Sequence, residues 1–248
     1  MKLLEVCVDS LASARAAIAG GADRLELCSA LFAGGLTPYI HLLEQIREES
    51  VIPIRCLIRC RPGDFLYEPE EIDLMARQIR ALKAAGSDGF VIGCLTPDGW
   101  VDKNAMMPLV EAAGGAGLTL HRCSDVSQFL IDAMLDAGEL GIDTVLTSGG
   151  EANCMAGLDE IAVNMEMRKH LPLPEILIGA GVNADVIRAI RQRLPEAEAF
   201  HMSGKIEVES KMVFRRAGVP MGLPGLDEWH IQQTSVDAIR AAREALDS

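Results

Sequence analysis

The 248-residue sequence lacks any apolar run approaching the ~18–20 residues of a membrane-spanning helix. It is also poor in cations, with 23 Lys and Arg against 36 Asp and Glu and a formal net charge of -13. Binding to nucleic acid or an anionic membrane rests largely on Lys and Arg neutralising phosphate, so neither is expected as a partner. A secretory leader is not indicated, because Met1-Lys2-Leu3-Leu4-Glu5 puts a carboxylate where such a leader needs its apolar stretch. The expected location is a reducing cytoplasm, with the seven cysteines as free thiols. His-x-His is absent near the start, where Glu5-Val6-Cys7 stands, and His-Glu-x-x-His is absent throughout, which sets aside two common metal-hydrolase centres. Cys56 and Cys60 have no second pair at zinc-binding spacing, and Cys56 reads as a small core hydrophobe. No lysine falls inside a predicted strand. Lys205 comes closest, which gives a Schiff-base mechanism little support.

What is present is 49% hydrophobic residues at a mean hydropathy of +0.19, enough for a sizeable core. Short β-branched-rich runs alternate with stretches of helical period, predicting strands near 3–8, 24–28, 54–59, 88–94, 117–122, 143–147, 174–179 and 198–202. Eight units of about 31 residues predict a single-domain (β/α)₈ TIM barrel over 1–248. An open doubly wound sheet would want a Gly-rich fingerprint after its first strand, and Asp9-Ser10 stands there instead. Ser10, Thr37 before Pro38, and Asn183 are predicted N-caps. Gly21-Ala22-Asp23, Gly86-Ser87-Asp88 and Gly141-Ile142-Asp143 recur about two units apart, ahead of strands two, four and six. Helix C-capping explains the glycine of this repeat and leaves the aspartate unexplained. The segment 203–233 reads as irregular, a lid over the barrel mouth or an interface segment, since Phe214, Leu223, Leu226 and Trp229 need burial. A terminal helix is expected over 234–247.

The working face of such a barrel lies at the C-terminal strand ends. There the sequence places Glu5, Cys7 and Asp9 on strand one, Glu26 and Cys28 on strand two, and Arg59, Arg61 and Asp64 at strand three. His121, Arg122 and Asp125 follow strand five, Thr147 and Ser148 end strand six, and His201 and Ser203 end strand eight. A carboxylate inside a strand needs a partner, so the glutamates read either as an ion-pair network with nearby arginines or as catalytic groups. Three Gly-bearing turns, Ser148-Gly149-Gly150, Gly179-Ala180-Gly181 and Ser203-Gly204, read either as tight turns or as an anion site. That site would be completed by Lys205 or an arginine such as Arg122.

Glu5-Val6-Cys7-Val8-Asp9-Ser10, Gly21-Ala22-Asp23-Arg24-Leu25-Glu26-Leu27-Cys28, Gly34-Gly35-Leu36-Thr37-Pro38, Gly63-Asp64-Phe65, His121-Arg122, Leu146-Thr147-Ser148-Gly149 and Phe214-Arg215 together resemble the CutC family of copper homeostasis proteins. The resemblance runs from residue 3 to about 222. It implies a (β/α)₈ barrel, a cytoplasmic homodimer and a role in copper handling, with Cu(I) bound through cysteines. The sequence departs from the family pattern at Arg59-Cys60-Arg61-Pro62-Gly63-Asp64-Phe65, at His121-Arg122-Cys123-Ser124-Asp125 and at Ser203-Gly204-Lys205. Charge is kept there and shape is not.

Two functions are therefore expected as alternatives. One is a copper homeostasis protein holding Cu(I), as its copper ligand, on Cys7 and Cys28, because Cu(I) is soft and selects thiolate. These two thiols can equally be inert core cysteines. The other is an enzyme acting on a small phosphorylated or carboxylated substrate, with His121 as general acid or base, Glu26 next, and Arg59, Arg61 and Asp64 in support. His121 also reads as a hydrogen-bonded core residue.

Overall fold

The computed structural model describes residues 2–216, 218–219 and 228–248. Eight parallel strands close a barrel in sequence order. They are β1 (Leu3–Val8), β2 (Arg24–Leu27), β3 (Ile54–Leu57), β4 (Gly89–Ile92), β5 (Gly117–Leu120), β6 (Thr144–Thr147), β7 (Glu175–Ile178) and β8 (Ala199–Met202). Each lies within the run predicted for it. Between them run α1 (Leu11–Gly20), α2 (Ile40–Glu49), α3 (Pro69–Ala84), α4 (Lys103–Ala113), α5 (Leu130–Glu139), α6 (Leu158–Arg168) and α7 (Ala184–Arg193), and α8 (Val236–Asp247) ends the chain. The architecture is the single-domain (β/α)₈ barrel that the strand count predicts. Its main core packs the outward strand residues against the helices, around side chains such as Leu4, Leu25, Ile54, Phe90 and Phe200.

The unexplained aspartates of the repeat have a shared task. Asp23, Asp88 and Asp143 each open an even strand, and each accepts the N–H at the start of the preceding odd strand: Leu4 at 2.7 Å, Ile54 at 2.7 Å and Leu118 at 2.8 Å. The first N–H of a barrel strand would otherwise be half-buried without an acceptor. Each aspartate also pairs with an arginine, Arg243, Arg47 and Arg55 respectively. Ser10 and Asn183 cap α1 and α7 through their side-chain oxygens, as expected. Thr37 does not cap α2. Its hydroxyl instead accepts the Arg59 N–H at 3.0 Å and so ties the β2 loop to the end of β3.

The segment 203–233 differs from the expectation of irregular chain. Lys205–Glu209 (β9) and His230–Thr234 (β10) form a two-stranded antiparallel ribbon, and Ser235 then caps α8. The alternating sequence Lys-Ile-Glu-Val-Glu is a strand pattern. Phe214 is 69% exposed, so the burial expected for it is not met within this chain, whereas Trp229 is half-buried beneath the Arg215 guanidinium at 5.5 Å. Leu223 and Leu226 lie outside the described residues. Among the described residues no helix is long and apolar enough to cross a membrane.

Candidate functional site

Strand register decides which side chains meet inside the barrel. β1 pairs with β2 so that Glu5 lies beside Arg24 and Cys7 beside Glu26, and β1 pairs with β8 so that Glu5 lies beside His201. Glu5 is fully buried, and its two carboxylate oxygens are engaged by Arg24 Nε and by His201 Nδ1 at 2.8 Å. Burial alone would raise the Glu5 pKa, but the His201 hydrogen bond and the Arg24 charge outweigh it and hold it at about 2. This carboxylate belongs to the ion-pair network, the first of the two readings open from sequence. The ionised Glu5 carboxylate accepts from Nδ1–H and so orients the His201 ring, leaving Nε2 outside that bond.

One layer higher stands Cys7. Its thiol donates to Glu26 Oε1 at 3.2 Å and lies 3.6 Å from the Cys28 sulfur. The two cysteines do not share a layer, as a simple count of two residues past each glutamate would suggest. The parallel stagger sets Cys7 level with Glu26, and the sulfurs meet on a diagonal. The bond to Cys28, with burial, pushes the Cys7 thiol well above its ordinary range. Burial likewise raises Glu26, against the pull of the neighbouring His201, and Glu26 Oε2 has no hydrogen-bond partner. For His201 burial opposes protonation, but Glu26 and Glu5 together raise its pKa. Among the described residues, Cys7, Glu26 and His201 form a group whose ligating atoms all lie within 4.8 Å of one another. The sequence places His201 on the working face but assigns it no role there. Its position at the end of strand eight was legible, but its approach to strand one follows only from closure of the barrel.

Above this group opens a cavity of about 450 Å³ at the barrel mouth, walled by Cys7, Glu26, Arg59, His121, His201 and Lys205 among others.

The CutC family model matches residues 2–206. Over 238 residues the chain is 39% identical to the family protein CutC of Vibrio campbellii, which spans 95% of both chains. This chain belongs to the CutC family. A second relative, the family protein CutC of Chromobacterium violaceum, is 39% identical over 246 residues, covering 99% of this chain and 98% of that one. The solved structure of the copper homeostasis protein CutC from Streptococcus agalactiae is 26% identical, with a TM-score of 0.76 over 82% of this chain and 99% of that one.

In this CutC-family chain the remaining expected site residues divide. Arg122, Ala180, Gly181 and Ser203 also face the cavity. Arg61 and Asp64 do not. They pair with each other at 3.0 Å on the outside, where Arg61 also binds Glu71 at 2.7 Å and lies over the Tyr67 ring. The turn after β6 is an anion nest already filled by the protein itself. The Asp125 carboxylate accepts the Ser148 N–H at 3.0 Å, the Gly150 N–H at 3.1 Å and the Thr147 hydroxyl, and pairs with Arg122 at 2.7 Å. Gly149 donates to Thr147 Oγ1, and a Cβ there would come within 2.2 Å of the Gly157 oxygen. Gly179 donates to the Thr147 carbonyl, and a Cβ on Gly204 would meet Ile239 at 2.5 Å. These glycines serve packing and turns. After Ser203-Gly204 the chain enters β9, so no helix N-terminus follows. The N-terminus of α7 is capped by Asn183 itself.

His121 has a role different from the one its ordinary pKa suggests. Burial, aided by the Arg59 charge, holds its pKa at about 3, so the ring is neutral at pH 7. Cys56 packs in the core as expected, and burial pushes its thiol up to about 12.

Proposed function

We propose that this CutC-family protein serves copper homeostasis by binding Cu(I) as its cargo at the cavity floor, on the Cys7 thiolate with Cys28 and His201 as the other donors. The observation that carries this reading is the convergence on one sulfur: Cys28 Sγ lies 3.6 Å from Cys7 Sγ, and the His201 ring lies within 4.8 Å of it. Thiolate and imidazole are the donor types that suit Cu(I). The Cys7 thiol must lose its proton to bind the ion, and Glu26 Oε1 already accepts that S–H bond. With its pKa raised by burial, Glu26 is the acceptor that keeps the released proton at the site.

The alternative, an enzyme for a small phosphorylated or carboxylated substrate, is not favoured. Its expected catalytic set is dispersed, with Arg61 and Asp64 outside the cavity and His121 neutral by burial. That all seven cysteines are free supports a reducing, cytoplasmic setting. A homodimer is part of this reading, and the exposed run Met212, Val213 and Phe214 on the ribbon segment supports it as apolar surface wanting cover.

Anaerobic titration with Cu(I) against a chromophoric chelator tests the copper site. Cys7→Ser is expected to weaken binding by about 100-fold or more, beyond the 10–100-fold typical of an outer-shell partner, and Cys28→Ser to weaken it less. Unchanged affinity and stoichiometry in a folded Cys7→Ser variant would sink the copper reading.

A further inference from the structure

The cavity holds a second set of unsatisfied groups, on the wall opposite in character to the thiol floor. Arg59 is 7% exposed and His121 5% exposed, both line the cavity, and Arg59 Nε and His121 Nε2 are buried nitrogens without a hydrogen-bond partner. The other two arms of the Arg59 guanidinium are committed to backbone carbonyls: Nη1 to Ala33 and Gly35, each at 3.2 Å, and Nη2 to Gly63 at 2.6 Å. Those carbonyls hold the guanidinium still and leave its charge uncompensated, since among the described residues Arg59 has no carboxylate partner. The neighbouring cations differ. Arg122 is paired with Asp125, and Lys205 lies 3.9 Å from Asp9.

His121 is equally fixed. Its Nδ1 accepts the Cys123 N–H at 3.2 Å, so in the neutral ring the proton sits on Nε2. Phe65 holds both groups, with its ring 4.8 Å from the imidazole and 5.1 Å from the Arg59 Cζ. Gly93 makes room, since a Cβ at that position would come within 2.4 Å of the His121 ring. A buried cation and a buried N–H donor left unpaired are each costly, and positions so constrained are kept where a ligand completes them.

We infer that Arg59 and His121 form a binding site for the carboxylate of a small organic molecule, held in the mouth cavity above Cys7. The chemistry matches in number: one uncompensated positive charge and two unpaired N–H donors in the cavity wall, against a ligand group with one negative charge and two oxygens. A phosphate dianion would leave one charge and at least one oxygen without a partner. This site is distinct from the turn after β6, whose backbone donors are spent on Asp125 and Thr147, and from the start of α7, which Asn183 caps. It involves binding alone and does not depend on the copper reading.

The test is an NMR titration of the full chain with acetate, and separately with inorganic phosphate, at fixed ionic strength in chloride. The probes are the His121 ring nitrogens and the Phe65 amide. Acetate is expected to shift the His121 Nε2 resonance saturably, and phosphate to bind at least about tenfold more weakly. His121→Asn keeps an acceptor for the Cys123 N–H and removes the Nε2–H. With Arg59→Met as the second variant, acetate binding read at Phe65 is expected to fall about tenfold or more in each. Absence of a saturable shift in the unmodified chain, acetate binding unchanged in a folded His121→Asn or Arg59→Met variant, or a preference for phosphate would each overturn the inference.

Discussion

Asp125→Ala is expected to destabilise the protein by about 2–4 kcal/mol in denaturant unfolding, the cost of leaving the buried Ser148 N–H and Thr147 hydroxyl without their acceptor. The Asp125 side chain is only 4% exposed and anchors two turns at once. Without it, the Ser148 and Gly150 N–H groups and the Thr147 hydroxyl lose their acceptor, and Arg122 loses its counter-charge. Each buried donor left unmade costs about 1–3 kcal/mol, so the loss exceeds that of any single hydrogen bond. Asp125→Asn keeps one oxygen and is expected to fall between. A change below about 1 kcal/mol in Asp125→Ala would show that water replaces the carboxylate and that the nest reading is wrong.

Glu5→Gln is expected to cost a comparable amount, about 3–5 kcal/mol at neutral pH, because it strips the charge that offsets Arg24 within the barrel. It also carries a pH signature. The folded pKa of Glu5 is about 2 against an ordinary value of 4.5, so the group binds its proton more weakly in the folded than in the unfolded chain. Its contribution is therefore present above pH 4.5 and is lost as pH falls through about 2, an effect on the order of 3 kcal/mol. The measurement is the difference in unfolding free energy between the unmodified chain and Glu5→Gln across that window. The difference should shrink steadily from pH 4.5 downward. A flat difference would mean that the Glu5 carboxyl is not held ionised by Arg24 and His201.

Much of the candidate site is legible in the sequence, and the rest is hidden for identifiable reasons. Cys7, Glu26, Arg59 and His121 could be assigned to the mouth because strand ends in a parallel barrel open on one face. The Cys7 and Cys28 sulfurs do approach each other, but through a stagger between strands that residue counting cannot supply. Arg61 and Arg59 are two residues apart and look equivalent in sequence. Arg59 turns into the cavity, whereas Arg61 is drawn outward by Glu71 at the start of α3. The glycine turns looked like anion sites because free backbone donors and capped ones share the same sequence. Only the fold brings Asp125, 22 residues before it in the chain, to the β6 turn.

The sequence by itself determined the architecture: eight short apolar runs at even spacing, caps at Ser10 and Asn183, and aspartates that open the even strands. These are local matters of periodicity and backbone hydrogen bonding, and the chain near each residue decides them. Tertiary structure alone decided that His201 meets Glu5 and Cys7, since strands one and eight are joined only when the barrel closes. It also decided which charges are spent and which remain. A carboxylate, guanidinium or imidazole changes its protonation and its use with the burial and partners it finds, and those partners come from strands far apart in the chain.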